Sequence, residues 1–398
     1  PLVPDIARIQ KELQAAGIDG WLLFDFHNRD RIAYQVLGLD FGKFTSRRWF
    51  YWIPAHGEPA KLCSKVESTK LDPLPGGKRL YRSWKDLHAG LQAMMGGART
   101  VAMQYSPSCN IPYVSIVDGG TIDMIRALGY EVVSSAGLVQ TFQAVLDDAA
   151  YRSHLAAGER IQRIKDEAFA LVGSELRAGR TLTQYDVQQF IIRRFGEEGL
   201  DCKGEYPIVG TNEHPADPHF EPTPANARPI RKGDTLLIDL WAKLAEPGAI
   251  FYDITWCGFV GSDPPRKYVE IFNVVRDARN AALEFIRARY AAGQKLFGWE
   301  VDDACREVVE RAGYGEFFVH RTGHSIGEEV HGNGVNIDNL ETKDERELVP
   351  GICFSIEPGI YLVGEMAVRS EIDVFITPDG KVEVAGAMQH DLVLIDVP

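Results

Sequence analysis

Four acids in this sequence end or interrupt apolar runs. Asp239 closes Leu236-Leu237-Ile238, Asp253 opens Asp253-Ile254-Thr255, Glu357 follows Phe354-Ser355-Ile356, and Glu371 lies in Val368-Arg369-Ser370-Glu371-Ile372. Asp239 and Asp253 are 14 positions apart, and so are Glu357 and Glu371. Burying a lone carboxylate is costly unless it is paired or bound to a cation. Four such acids at matched separations predict a shared counter-charge. Between the two pairs lies a glycine-rich stretch with His320, His324 and His331. An imidazole among carboxylates makes a mixed nitrogen and oxygen site, which suits Mn²⁺, Co²⁺, Fe²⁺ or Zn²⁺. Four carboxylates and one histidine are too many ligands for one tetrahedral zinc, but they suit two bridged metals.

Hydrophobic periodicity predicts the elements that hold these groups. Strands over 234–242 and 250–260 carry the first acid pair, and strands over 352–363 and 366–376 carry the second. Helices over 151–178 and 182–198 precede the first pair, and helices over 265–291 and 300–312 precede the second. Thr183 and Asp186 have the spacing of a capping box, which marks a helix start. The chain thus runs twice through one plan without a clear sequence repeat. Before this, a helix over Ile6–Ala16, a buried strand over Gly20–Asp25 and further alternating elements read as an α/β unit with no catalytic cluster. A boundary falls near 145–155, giving domains 1–148 and 149–398 in an α+β protein.

The formal net charge of −13, from 56 acidic and 43 basic residues, argues against a nucleic-acid or anionic-membrane partner. The six cysteines form no C-x-x-C pair, so reduced thiols are expected rather than a disulfide framework or a zinc finger. No apolar run reaches the roughly 18 residues of a membrane span. The first residues read as an amphipathic helix without a signal-peptide core, and the expectation is a soluble cytoplasmic protein.

With these motifs in view, the stretch from about 150 to 390 resembles the pita-bread metallopeptidases, and within them the Xaa-Pro dipeptidase (prolidase) and aminopeptidase P branch. The resemblance is carried by Asp239, by Asp253-Ile254-Thr255, and by Gly323-His324-Ser325-Ile326-Gly327 with Val330-His331. Glu357-Pro358-Gly359-Ile360-Tyr361 and Arg369-Ser370-Glu371 complete it. The N-terminal part is similar in layout to the creatinase-type domain of that branch. The resemblance implies two divalent metal ions per chain, manganese first, with cobalt or zinc as alternatives. It implies that Asp239 holds one metal, that His324 and Glu357 hold the other, and that Asp253 and Glu371 bridge both. Glu357 falls at the family's proton shuttle. His219, His320 and His331 match the histidines around the substrate, and Arg369 steadies the carboxylates. A homodimer is implied by the creatinase-like part.

The implied activity is hydrolysis of Xaa-Pro bonds, dipeptides above all. Cleavage of longer Xaa-Pro peptides and a metal-dependent non-peptide hydrolysis on the same fold are the alternatives. Phe220 and Tyr361 are expected as apolar walls of the proline pocket, and the candidate cations for the proline carboxylate are Arg321, close in sequence to the histidines, and Arg47 or Arg48 of the partner subunit. Several positions depart from the family pattern. Trp241 and Lys243 replace small residues after the first Asp, and the hairpin between Asp239 and Asp253 is long. Trp256-Cys257 follows Asp-Ile-Thr, and Gly332-Asn333-Gly334 follows His331 where an acid and a proline are usual.

Overall fold

Short apolar runs bounded by glycines and polar turns become the strands of the first unit, Pro1–Gln143; the second unit is Ala144–Pro398. The computed structural model describes residues 4–398. In the first unit, β1 (Gly20–Asp25), β2 (Trp49–Pro54), β3 (Ala60–Ser64), β4 (Gly77–Tyr81), β5 (Thr100–Met103) and β6 (Glu131–Ser134) form one mixed sheet. Its order is β4-β3-β2-β1-β5-β6. Helices α1 (Ile6–Ala16), α2 (Arg31–Leu37), α3 (Trp84–Met95), α4 (Gly119–Ala127) and α5 (Ala136–Gln143) complete the unit. β1 is buried along its whole length, and its alternate residues feed two cores. Trp21 and Leu23 enter one, Leu22 and Phe24 the other. Asp25 at its end accepts the backbone N–H groups of Asn28, Arg29 and Asp30, so this acid organises the turn into α2.

The second unit opens with α6 (Asp148–Arg177), which starts where the Asp147 side chain accepts the Ala150 N–H. The capping box expected at Thr183 and Asp186 is formed at the start of α7 (Gln184–Glu197). β7 (Leu200–Asp201) and β8 (Ile208–Thr211) lead to the long hairpin of β9 (Thr235–Leu244) and β10 (Tyr252–Val260). Then come α8 (Arg266–Ala291) and α9 (Gly298–Arg311), followed by β11 (Ser325–Ile326), β12 (Cys353–Ile356), β13 (Gly359–Leu362), β14 (Met366–Arg369) and β15 (Ile372–Ile376). β16 (Val382–Val384) pairs with β15, and β17 (Val393–Ile395) runs parallel to β10. α6 and α7 share a core with one face of the hairpin, through Ile161, Ile164, Val187, Ile191, Ile238 and Ile254. α8 and α9 share another with the later strands, through Phe272, Val275, Val301, Phe354, Val368 and Val374. The helix-helix-strand-strand plan read from the sequence is therefore present twice.

The second strand pair departs from expectation. Each of the continuous strands expected over 352–363 and 366–376 is broken in two, at Glu357-Pro358 and at Ser370-Glu371. Pro358 has no N–H to give a ladder, and β13 and β14 leave the sheet of β12 and β15 to pair with each other. Two of the four acids thus stand at chain breaks, where their backbone is free of regular pairing. Among the described residues, all six cysteines are free thiols and no helix is long and apolar enough to cross a membrane.

Candidate metal centre

Strand alternation puts Asp239, Trp241 and Lys243 on one face of β9, while Leu236, Ile238, Leu240 and Ala242 enter the core under α6 and α7. The antiparallel register sets Asp239 opposite Thr255 and Trp241 opposite Asp253, so both acids share one face. An isolated bridge between Thr255 and Glu371 joins the two strand pairs. There the Glu371 N–H donates to the Thr255 carbonyl at 3.2 Å, and Thr255 Oγ1 donates to Glu371 Oε2 at 2.8 Å. His324 arrives beside Glu357 because Gly323 lies flat on β12. A Cβ at Gly323 would overlap the Ser355 carbonyl, so a side chain there would push the histidine away. Ser355 fixes both neighbours: its Oγ accepts the His324 N–H at 3.0 Å and donates to Glu357 Oε1 at 3.0 Å.

The charge balance of this cluster calls for a cation. Asp239, Asp253, His324 and Glu371 are buried, and one ligand atom each from Asp253, His324 and Glu371 lies within 4.8 Å of the others. His324 Nδ1 is 2.9 Å from the Ser325 carbonyl, which only accepts, so Nδ1 carries the proton. Nε2 then faces Glu357 Oε1 at 3.2 Å and Asp253 Oδ2 at 3.5 Å, with room for a proton or a cation between them. Burial opposes protonation of this ring, but the two carboxylates overcome it and push its pKa up to about 10. Burial raises Asp239 to about 7, and burial with neighbouring acids drives Glu371 well above the carboxylate range. Glu357 goes the other way: burial raises it, but His324 and Arg369 hold it ionised. Asp239 Oδ1, Asp253 Oδ1 and Glu371 Oε1 are buried without a hydrogen-bond donor. Orphaned carboxylate oxygens around an imidazole nitrogen whose proton a metal can replace are the arrangement that divalent cations satisfy, and these residues fit them.

Arg369 is the fixed positive charge of the cluster. Its Nη2 donates to Asp239 Oδ2 at 2.6 Å, its Nε to Thr255 Oγ1 at 3.2 Å and its Nη1 to Tyr361 Oη at 2.9 Å. Tyr361 Oη in turn lies 2.5 Å from His320 Nε2, and His320 Nδ1 lies 2.6 Å from the Arg321 carbonyl. His320 therefore has both nitrogens engaged, and it supports Tyr361 and Arg369 from behind. Tyr361 is only 2% exposed, so it belongs to this chain of hydrogen bonds and is not the pocket wall expected from the sequence. His331 is exposed at the edge, its ring meeting that of His324 edge-on at 4.4 Å. The charge on His324, then burial, then Arg321 depress its pKa to about 3, and His219 is near enough to act in the same sense. His219 itself is exposed in the loop after a short turn of helix, and Phe220 beside it packs on His214 with centroids 4.4 Å apart.

Two buried residues escaped the sequence reading. Asp373 Oδ2 accepts the Asp253 N–H at 2.8 Å, and its Oδ1 has no donor. It is a fifth acid in an apolar strand, and the rule that found the other four applies to it equally. His154 donates from Nδ1 to the Phe251 carbonyl at 2.6 Å, and its Nε2 lies 3.9 Å from Asp373 Oδ2. Its place on the buried stripe of α6 with Ala157, Ile161 and Ile164 was the available signal.

Residues 157–378 match metallopeptidase family M24, and the chain belongs to that family. It is a metallopeptidase with the pita-bread catalytic fold, preceded by a smaller α/β unit. A probable dipeptidase PepE of Mycobacterium tuberculosis is 30% identical over 352 residues, 87% of this chain and 85% of the relative. A Xaa-Pro dipeptidase of Lactobacillus helveticus is 35% identical over 219 residues, 54% of each chain. The crystal structure of dipeptidase PepE from Mycobacterium ulcerans superimposes with a TM-score of 0.69 at 25% identity, over 98% of this chain and 97% of that one.

Proposed function

We propose that this enzyme hydrolyses Xaa-Pro dipeptides with two divalent metal ions held by Asp239, Asp253, His324, Glu357 and Glu371. The observation that carries this reading is the buried cluster itself: three carboxylates with donor-free oxygens, gathered around an imidazole whose Nδ1 is tied to a carbonyl and whose Nε2 points at the acids. The names of the PepE and Xaa-Pro dipeptidase relatives support the substrate class. Bound there, paired cations supply an acidified water and polarise the scissile carbonyl.

The chain's own residues do the rest. Asp253 and Glu371, one from each strand pair, would each help to hold both ions. Arg369 neutralises Asp239 and keeps its free oxygen turned toward the cluster. Glu357, held ionised by His324, accepts a proton at its carboxylate and returns it to the departing proline nitrogen. His331, neutral and exposed beside His324, donates a hydrogen bond to the carbonyl oxygen as it gains charge. His320 acts through Tyr361 and Arg369. A proline amide has no N–H, so recognition rests on the ring and the carbonyl, with His219 and Phe220 on the open side. Manganese as the ion and a homodimer belong to the same reading, the second resting on the creatinase-like first unit.

The test is a panel of Xaa-Pro dipeptides, Xaa-Pro-Yaa peptides and non-proline controls, assayed with Mn²⁺, Co²⁺ and Zn²⁺ in turn. Turnover of the dipeptides above the rest is the expected result. Cleavage of only the longer peptides replaces the reading with aminopeptidase P, and no cleavage of either rejects Xaa-Pro specificity.

A further inference from the structure

The residues that depart from the family pattern on β9 lie on the face of the metal cluster. Lys243 is two rungs beyond Asp239 on that face and is buried, 8% exposed. A lysine ammonium is strongly hydrated and costly to bury without partners. Here Nζ donates to the Glu328 carbonyl at 2.5 Å and stands 5.2 Å from the centre of the Phe251 ring. Phe251, where the chain enters β10, gives its own N–H to the Gly327 carbonyl at 3.0 Å. The extended end of the hairpin thus makes two hydrogen bonds to consecutive carbonyls of one loop, the loop that ends in His331.

The rest of that loop is closed tightly upon itself. The Gly327 N–H donates to the Glu329 carbonyl at 3.0 Å, and the Gly332 N–H returns to the Ser325 carbonyl at 2.8 Å. A Cβ at Gly332 would stand 2.8 Å from Ser325 Oγ, so the chain after His331 needs glycine to turn back so closely. Ile326 and Val330 pack with Ile250 and Phe251, and Trp241 lies against the same cluster. Glu328 and Glu329 are exposed. Lys243 therefore grips the loop from the side of the metal cluster, between the ligand His324 and the exposed His331.

We propose that Lys243 is a positioning residue: by holding the Glu328 carbonyl it fixes the loop that presents His331 to the substrate carbonyl. The catalytic part of this rests on the function proposed above; the anchoring part does not. The long hairpin and the glycines after His331 are then two halves of one device. The long β9 supplies the anchor from one side, and the glycines let the chain turn back after His331.

Lys243→Met keeps the stem and removes the donor, and Lys243→Arg keeps a donor. Amide exchange of the full-length enzyme, followed by mass spectrometry, reads the anchor without any substrate. In Lys243→Met, exchange across residues 325–332 is expected to quicken about 10-fold or more, with the β12 segment unchanged. On a Xaa-Pro dipeptide the same variant is expected to lose about 10-fold in kcat with KM little changed, and Lys243→Arg to recover most of it. The loss should vanish in a His331→Ala background, because both changes act through one group. Unchanged exchange, or faster exchange spread over the whole second unit, overturns the anchor. A loss in Lys243→Met that multiplies with that of His331→Ala overturns the link to His331. If the unmodified enzyme cleaves no Xaa-Pro bond, the proposed function fails, while the exchange result still decides the anchor.

Discussion

Arg369 and Asp239 meet through Nη2 and Oδ2 at 2.6 Å, in a cluster where Asp239's other oxygen has no donor. The guanidinium serves three acceptors at once, Asp239, Thr255 and Tyr361, and a planar fork is suited to that. Arg369→Lys keeps the charge and loses the fork. It is expected to weaken metal binding or turnover about 10- to 100-fold, in line with other groups that orient metal ligands. Metal titration of the variant, followed by activity, checks this, and an unaltered enzyme would remove Arg369 from the account.

His331→Ala is expected to lower kcat by about 10²–10³ while metal content stays normal, as for loss of one oxyanion donor. Elemental analysis beside kinetics separates the two readouts. Loss of metal in this variant would make His331 a ligand.

His320 has both nitrogens engaged, toward Tyr361 and the Arg321 carbonyl, so its removal should act at a distance. His320→Ala and Tyr361→Phe each break the same chain to Arg369. Their effects on kcat/KM should fall short of adding when combined, with a shared loss worth about 0.5–3 kcal/mol. Fully additive losses in a double-mutant cycle would place His320 at the substrate instead.

His154 gives folding stability a pH dependence of its own. Burial, opposed only by its bond to the Phe251 carbonyl, lowers its pKa from 6.5 to about 4. Between those values the unfolded chain binds the extra proton and the folded chain does not, so this residue makes stability fall as pH falls through the window. The slope is about 1.4 kcal/mol per pH unit for one such group. His154→Gln should flatten the stability profile between about pH 6.5 and about pH 4 in urea melts. An unchanged slope there would contradict the assignment.

The fold is legible in the sequence where chemistry and periodicity agree. Acids in apolar strands are conspicuous, and the capping box at Thr183 and Asp186 announced α7 directly. It is less legible where a side chain's role depends on contacts between distant segments. Tyr361 looked like an apolar wall because its ring is apolar, but its hydroxyl bridges Arg369 and His320 across 8 and 41 residues. The strand breaks at Glu357-Pro358 and Ser370-Glu371 were missed because apolar residues continue on both sides. The proline was the clue. Asp373 and His154 were passed over because neither falls in a motif, and only the folded chain brings them to the backbone of the Asp253 hairpin.

The function proposed for this cluster is hydrolysis of Xaa-Pro bonds with two bound cations. Its most direct test is a titration of chelated, metal-free enzyme with Mn²⁺ while hydrolysis of a Xaa-Pro dipeptide is followed, beside Asp253→Asn under the same conditions. Activity should rise from zero and reach its plateau at two equivalents per chain, and Asp253→Asn should bind less metal and stay largely inactive. Full activity before any metal is added, or a variant with the same two-equivalent plateau, would contradict the account.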